Sequence, residues 1–167
     1  MSSLLDLIRK RRSIRSFDSK PVEREKLNAI LEAGRLAPSA RNEQGWHFFV
    51  ATLPEHRAQM KDICNGQAFC GEAGAVLFVT TYKPRTMACG QPAHLLDASI
   101  ALTCMMLMAE ELGLGSCWIG NFDQAKARAL LKLPEGEEVV GLMPIGYAKE
   151  QPQPRPRKSM DEVARFL

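Results

Sequence analysis

The chain has 167 residues, of which 46% are hydrophobic and 25% charged. This length and composition predict one globular domain over residues 1–167 and exclude a disordered or fibrous chain. The net charge of +3 is too small to indicate a nucleic-acid partner by itself. Five cysteines without a CxxC pair are atypical of disulfide scaffolds and of zinc modules, so we expect reduced cysteines, a cytoplasmic location and no metal.

Targeting and membrane segments are not expected from the sequence. Residues 1–15 carry charge throughout, so the apolar core of a signal peptide is missing. The longest apolar stretch, residues 95–109, is shorter than the roughly 18 to 20 residues that a membrane span needs. We therefore expect no membrane association.

The first half of the chain alternates between helical and strand patterns. In chain order, it predicts a short helix that starts over 4–8 and ends in the basic cluster over 9–12, a helix over 23–35, a strand over 46–51, a helix over 54–63 and a strand over 75–81. Residues 75–81 are a continuous apolar run, which is typical of a strand buried on both faces.

The second half continues this alternation. It predicts a long helix over 92–112, a strand over 117–119, a helix over 123–131, a strand over 139–145, a polyproline-like tail over 151–157 and a short helix over 161–166. Gly113 is expected to end the long helix. The order of elements predicts a layered fold that mixes helices and strands.

The helix over 92–112 is apolar on every face. Leu95, Leu102 and Met105 follow one face, whereas Leu96 and Ile100 lie on the opposite one. A helix that is apolar all round must be covered all round, and a chain of this size is too small to cover it alone. The pattern therefore indicates a second subunit.

A first candidate site is the basic segment Arg11-Arg12-Ser13-Ile14-Arg15. Guanidinium groups bind phosphate oxygens in pairs, and a serine hydroxyl adds a short hydrogen bond. In an extended segment, Arg11, Ser13 and Arg15 would point to the same side. A solvated basic surface or a nucleic-acid-binding patch remains the alternative interpretation.

A second candidate is the polar loop over residues 38–44, which precedes the strand over 46–51. It is rich in side chains that donate and accept hydrogen bonds, as suits the rim of a heterocycle, although an ordinary turn is the alternative. A third is the basic tail with Arg155, Arg157 and Lys158, whose prolines stiffen it for phosphate binding, with a frayed tail as the alternative.

The glycine-rich stretch over 113–120 fails as a dinucleotide-binding loop. GxGxxG would require glycine at Trp118, and the stretch leads from a helix into a strand, which is the wrong direction. Gly120-Asn121 could instead bring a backbone amide close to a planar ring. Cys64 and Cys70 have no activating motif nearby, and His47 is expected to be structural.

Taken together, these segments resemble the FMN-dependent nitroreductase family. The resemblance is carried, in order, by Arg-Arg-Ser-Ile-Arg-x-Phe over 11–17, Ala-Pro-Ser-Ala-x-Asn-x-Gln-x-Trp over 37–46, Glu-Leu-Gly-Leu-Gly-Ser-Cys-Trp-Ile-Gly over 111–120 and Arg-x-Arg-Lys over 155–158. It implies an α+β, three-layer fold with a central mixed β-sheet flanked by helices. It also implies a homodimer with FMN at the subunit interface and NADH or NADPH as electron donor.

The resemblance also implies roles for particular residues. It suggests that the flavin carries the chemistry and that the chain contributes cofactor-binding residues: Arg11, Arg12, Ser13, Arg15, Pro38, Ser39, Ala40, Asn42, Gln44, Ile119, Gly120, Asn121, Arg155, Arg157 and Lys158. The loop over 38–42 would lie along the flavin ring bound by the other subunit. The implied acceptors are nitroaromatics, quinones and similar small molecules.

Two departures from the family pattern bear on the substrate. Gly45 stands where a proline often precedes the tryptophan, and the helical excursion found in many members is missing, which predicts an open, permissive pocket. A reductase dedicated to one metabolite is therefore an alternative. A non-enzymatic module that binds a polyanion through residues 9–15 is another, although the aromatic residues do not interleave with the basic ones.

Overall fold

The computed structural model describes residues 3–167. Its eight α-helices are α1 (Leu4–Lys10), α2 (Arg24–Arg35), α3 (Pro54–Arg57), α4 (Met60–Ile63), α5 (Phe69–Glu72), α6 (Ala93–Glu111), α7 (Gln124–Leu131) and α8 (Met160–Val163). Its four strands are β1 (Trp46–Ala51), β2 (Ala75–Thr81), β3 (Gly115–Ser116) and β4 (Glu138–Gly146), and a 3-10 turn spans Ala40–Asn42.

The four strands form one sheet in the order β1-β2-β4-β3. Each neighbouring pair of strands is antiparallel. A parallel contact is added at the β3 edge, where Ser13 bridges to Ser116. The expected α+β class is confirmed, and among residues 3–167 the sheet is mixed only through this bridge.

Helices cover both faces of the sheet, and β2 contributes side chains to the hydrophobic core on each face. Leu77 and Val79 pack with residues of α2 and α6 on one face. Val76 and Phe78 pack on the opposite face, in a cluster that includes residues of α4, α5 and α7. Successive side chains of a strand point to opposite faces, so a continuous apolar run serves both layers, as the sequence predicts for this strand.

The long helix α6 ends where the sequence predicts. Gly113 adopts a φ of 73°, and the N–H of Leu114 bonds to the carbonyl oxygen of Ala109 at 2.9 Å. This is a Schellman ending, in which a glycine takes the left-handed conformation. By length and composition α6 would pass for a membrane span, with a mean hydropathy of 1.3, but it packs against α2 and the sheet as a core helix.

One face of α6 stays open in the single chain. Leu96 is 42% exposed and Ile100 is 40% exposed. Ala98, Leu102 and Met105, on the face toward the core, are buried. The chain thus leaves uncovered a stripe of the helix that the sequence marks as apolar.

Several predicted elements differ in their bounds, and α8 spans Met160–Val163 rather than 161–166. The expected strand over 117–119 is replaced by β3, which ends at Ser116, because Cys117 lies opposite Pro144 of β4. Pro144 accepts a hydrogen bond from the Cys117 amide but has no N–H to return, which interrupts the ladder. The expected helix over 54–63 is divided into α3 and α4 by a turn at residues 58–59.

Candidate active site

The basic segment after α1 is fixed along the edge of the sheet. The Ile14 amide donates a hydrogen bond of 2.9 Å to the carbonyl oxygen of Ser116, and the Ile14 side chain is buried. Strand-like alternation then turns Arg11, Ser13 and Arg15 to the other side. All three influence the pKa of the Cys117 thiol, so their side chains lie near this residue.

A second backbone pairing brings the C-terminal tail to this segment. Asp18 donates to the carbonyl oxygen of Tyr147 at 2.8 Å, and Lys149 donates to that of Ser16 at 3.0 Å. Directly after this pairing, a carboxylate oxygen of Glu150 accepts a hydrogen bond from the Arg15 amide. The residues that follow Glu150 therefore begin beside the basic segment.

Together these segments enclose a cavity of about 580 Å³, which we call the basic cavity. Among its lining residues are six of the predicted cofactor-binding residues: Arg11, Arg12, Ser13, Arg15, Arg155 and Arg157. Two basic segments 140 residues apart in the chain thus meet at one place. Lys158 is outside this lining. Guanidinium and hydroxyl donors in this arrangement suit a phosphate group.

Arg12 differs from its neighbours in the cavity wall. Its Nη1 donates to the carbonyl oxygens of Arg9, Lys10 and Arg11 at 2.6, 3.0 and 2.9 Å. These carbonyls lie at the C-terminal end of α1, where a cation is favourable because backbone acceptors are exposed there. Arg12 thus closes the helix as well as lining the cavity.

The stretch from Cys117 to Asn121 begins beside the basic segment, because Ser116 pairs with Ile14. Burial raises the pKa of the Cys117 thiol, which the neighbouring Arg15, Ser13 and Arg11 partly oppose. Ile119 is buried, and its backbone exchanges both hydrogen bonds with Leu142. The exposed residues of this stretch are Trp118, Gly120 and Asn121.

Gly120 and Asn121 are held in place by hydrogen bonds and close packing with neighbouring residues. The Asn121 side-chain oxygen accepts from Asn65 at 2.9 Å, and its backbone oxygen accepts from Gln67 at 3.2 Å. A Cβ on Gly120 would lie 2.8 Å from the Trp118 ring, so the absence of a side chain permits this close packing. The exposed backbone of Gly120 and the exposed residue Asn121 are therefore held in fixed positions.

The polar loop over 38–44 has an uncommon backbone. Arg41, Asn42 and Gln44 have φ values of 56°, 55° and 49°, in the left-handed region that non-glycine residues rarely adopt. The loop is held by two hydrogen bonds from its backbone amides. The Ala40 amide donates to an Asp97 carboxylate oxygen at 3.0 Å, and the Gln44 amide donates to the Ser39 hydroxyl at 3.1 Å.

An ion pair supports the same loop from the side. Glu43 accepts a hydrogen bond from the Arg85 guanidinium at 2.9 Å, and both side chains are 24% exposed. Lys83 approaches Glu43 at 3.9 Å. Sequence reasoning missed these supporting residues, because Asp97 and Arg85 lie far from the loop in the chain.

The loop and the basic cavity lie toward opposite ends of α6. The loop is anchored to Asp97 near the start of the helix. Arg12 lines a second cavity, of about 390 Å³, together with Glu110 at the helix end. A rise of 1.5 Å per residue places these two helix positions roughly 20 Å apart. One chain therefore does not bring the loop and the cavity together.

Cys64, Cys70 and His47 have structural surroundings. Cys64 and Cys70 are buried together in the core, and the contact with Cys64 and burial raise the pKa of the Cys70 thiol. His47 Nδ1 lies 2.9 Å from a carboxylate oxygen of the buried Glu137, which the Thr80 hydroxyl also contacts. This agrees with the structural role expected of His47.

Comparison with known proteins identifies the family. The sequence profile described as the Nitroreductase family matches residues 8–69 and 64–147. The chain belongs to the nitroreductase family. A relative from Archaeoglobus fulgidus, whose name combines NADH dehydrogenase with NAD(P)H nitroreductase, is 34% identical over 155 residues, covering 90% of this chain and 88% of that protein.

Solved structures of the nitroreductase family have the same fold. The crystal structure of a nitroreductase family protein from Clostridium difficile superposes with a TM-score of 0.88 at 28% identity, covering 99% of this chain and 98% of that one. The NADPH:FMN oxidoreductase of Vibrio harveyi, solved with NAD+, gives a TM-score of 0.88 at 25% identity, covering 98% of this chain and 76% of that one.

Proposed function

We propose that this nitroreductase binds FMN through the basic cavity and passes electrons from NADH or NADPH to nitroaromatic, quinone or related small acceptors. As a member of its family, the chain is an NAD(P)H-dependent flavin oxidoreductase that uses FMN. The observation that carries the site assignment is the meeting of Arg11, Ser13 and Arg15 with Arg155 and Arg157 in one cavity.

The donor set of the cavity fits the phosphate end of FMN. Arg155 and Arg157, with Arg11, supply guanidinium donors, and Ser13 adds a hydroxyl. Arg12 and Lys158 contribute mainly positive charge, because Arg12 also closes α1 and Lys158 is outside the lining. A monophosphate ester matches this set, whereas the sequence lacks the glycine fingerprint of a dinucleotide site.

The flavin ring would extend from the cavity along the stretch from Cys117 to Asn121. Ile119 would shape this wall through its buried side chain, while Gly120 and Asn121 would offer exposed backbone and amide groups. The opposite edge of the ring would be bound by the loop of a second subunit: Pro38, Ser39, Ala40, Asn42 and Gln44. We therefore place one FMN in each of two shared sites.

The homodimer in this proposal is supported by the open face of α6. Leu96 and Ile100 are large apolar side chains that the single chain leaves about two-fifths exposed. The distance of roughly 20 Å between the loop and cavity ends of α6 gives a second reason. A second copy that covers this face would complete both sites.

Bound FMN supplies the redox chemistry, because it can accept a hydride from a nicotinamide and transfer electrons to an acceptor. The chain would hold the cofactor with charged donors, and the thiols of Cys64, Cys70 and Cys117 are buried. Cys64, Cys70 and Cys117 thus take no part in turnover. We place the enzyme in the cytoplasm.

The experiment for this function is an anaerobic and aerobic steady-state screen of the purified protein. NADH and NADPH are each offered with a nitroaromatic, a quinone, an enone and free flavin as acceptor. Reduction of several nitroaromatics and quinones supports a broad reductase. Turnover of one acceptor class alone would favour a dedicated reductase, and binding of a polyanion without turnover would favour the non-enzymatic alternative.

A further inference from the structure

We propose that Glu150 determines the specificity and the direction of ligand binding in the basic cavity. Its carboxylate would accept hydrogen bonds from the hydroxyls next to the phosphate ester and repel a phosphate group from its own end of the cavity. This inference rests on the proposed function and deepens it. The cavity would thereby select an alditol phosphate, such as the ribityl phosphate arm of FMN, over free phosphate.

Glu150 is the acidic residue in the wall of the basic cavity. The other charged lining residues are arginines, and a carboxylate among them lowers the positive potential at one place. A cavity built only to hold an anion would gain nothing from this charge. A carboxylate is, however, a strong acceptor for hydroxyl groups.

The position of Glu150 is set by the backbone around it. The pairing of Lys149 with Ser16 fixes the residue before it, at an N–O distance of 3.0 Å. One of its carboxylate oxygens accepts the Arg15 amide hydrogen. A carboxylate has about four acceptor positions, so this bond leaves capacity for ligand hydroxyls.

Glu150 lies near Cys117 as well as beside Arg15, whose amide hydrogen it accepts. Arg15 and Arg11 lower the pKa of the Cys117 thiol, and Glu150 raises it, although burial is the largest influence. The carboxylate and the guanidiniums therefore lie around Cys117, at the start of the stretch from Cys117 to Asn121. A phosphate repelled by Glu150 would move toward Arg155 and Arg157, leaving the hydroxyl arm beside Glu150.

The test compares three ligands in Glu150→Gln, Glu150→Ala and the unchanged protein. Riboflavin has the ribityl hydroxyls but no phosphate, inorganic phosphate has no hydroxyl chain, and FMN has both groups. Flavin affinity is measured by fluorescence titration, and inorganic phosphate by its competition with FMN. Glu150→Gln keeps an oxygen for the Arg15 amide, so the fold is preserved while the charge is lost. Glu110→Gln, in the adjoining cavity, is the matched control.

We expect the affinities for inorganic phosphate and for riboflavin to change in opposite directions. In Glu150→Gln, inorganic phosphate should bind about three- to tenfold more tightly, and riboflavin about three- to tenfold more weakly, as loss of one partly solvated charge predicts. Glu150→Ala should weaken riboflavin binding further, with thermal melting used to check its fold. Glu110→Gln should leave all three affinities unchanged.

Other outcomes overturn the assignment. If Glu150→Gln changes none of the three affinities, Glu150 serves only as an acceptor for the Arg15 amide. If all three affinities change in the same direction, the substitution acts through the fold or the general potential. An unchanged protein that binds neither FMN nor riboflavin would instead refute the proposed function, and with it this role of Glu150.

Discussion

Gly115 and Ile14 pack so closely that a Cβ on Gly115 would lie 2.7 Å from Cγ1 of Ile14. Through this contact the basic segment packs directly on β3, where the Ile14 amide donates a hydrogen bond to the carbonyl oxygen of Ser116. A branched side chain on a paired backbone has little freedom to move away. The glycine in the helix-to-strand stretch therefore sets the position of Ser13 and Arg15 rather than binding a dinucleotide.

The first prediction concerns Gly115→Ala. The added methyl group must displace Ile14, and overpacking of this kind costs roughly 1–3 kcal/mol of folding free energy. Because the same displacement moves the cavity wall, FMN should also bind more weakly. Gly71→Ala is the control, since its Cβ would meet the Arg57 carbonyl oxygen at 2.6 Å but Gly71 does not line the cavity. Thermal melting and FMN titration of both variants check this, and unchanged FMN affinity in Gly115→Ala would contradict it.

Arg11→Ala and Arg157→Ala should each weaken FMN binding without unfolding the protein. A charge-assisted hydrogen bond contributes roughly 1.5–3 kcal/mol, which corresponds to about a ten- to hundredfold loss of affinity. Lys158→Ala removes the same charge from a neighbouring position outside the cavity lining, so its effect should be clearly smaller. Equal effects at positions 157 and 158 would mean that charge alone, rather than the cavity, binds the phosphate.

Much of the fold follows from local patterns, but the site does not. The seven buried residues of β2 and the ending of α6 at Gly113 could be predicted because each depends on neighbouring residues. Asp97 and Glu150 were missed because their roles depend on contacts 57 and 135 residues away in the chain. The motif resemblance supplied the basic residues but not the groups that orient them.

Asp97 should position the loop over 38–44. In Asp97→Ala, the part-buried Ala40 amide loses its carboxylate partner, which costs up to roughly 1 kcal/mol because water can partly replace that partner. The loop would then leave its left-handed backbone conformation more often, and FMN affinity should fall by up to about tenfold. Asp97→Asn keeps a carbonyl oxygen for Ala40 and should largely restore binding. FMN titration of both variants decides, and equal affinities in Asp97→Ala and the unchanged protein would refute this role.

The open face of α6 should be the dimer interface. Leu96→Glu or Ile100→Glu introduces a charge that is costly to bury, so either variant should dissociate into monomers and lose FMN. A stable interface would be expected to bury more than about 1,000 Å² in total. Leu53→Glu, at an exposed leucine before α3, is the control and should remain dimeric. Light scattering of each variant provides the check, and monomeric unchanged protein with FMN bound would contradict the shared site.

The central claim is that FMN bound at the basic cavity takes electrons from a reduced nicotinamide. The most direct measurement is an anaerobic titration of the FMN-loaded protein with NADH and with NADPH, followed through the absorbance of oxidised flavin. We predict that at least one nicotinamide bleaches the flavin completely at one equivalent per FMN, without an acceptor, and equally in Cys64→Ser and Cys70→Ser. Flavin that stays oxidised with both nicotinamides, or a protein that does not retain FMN, would contradict the account.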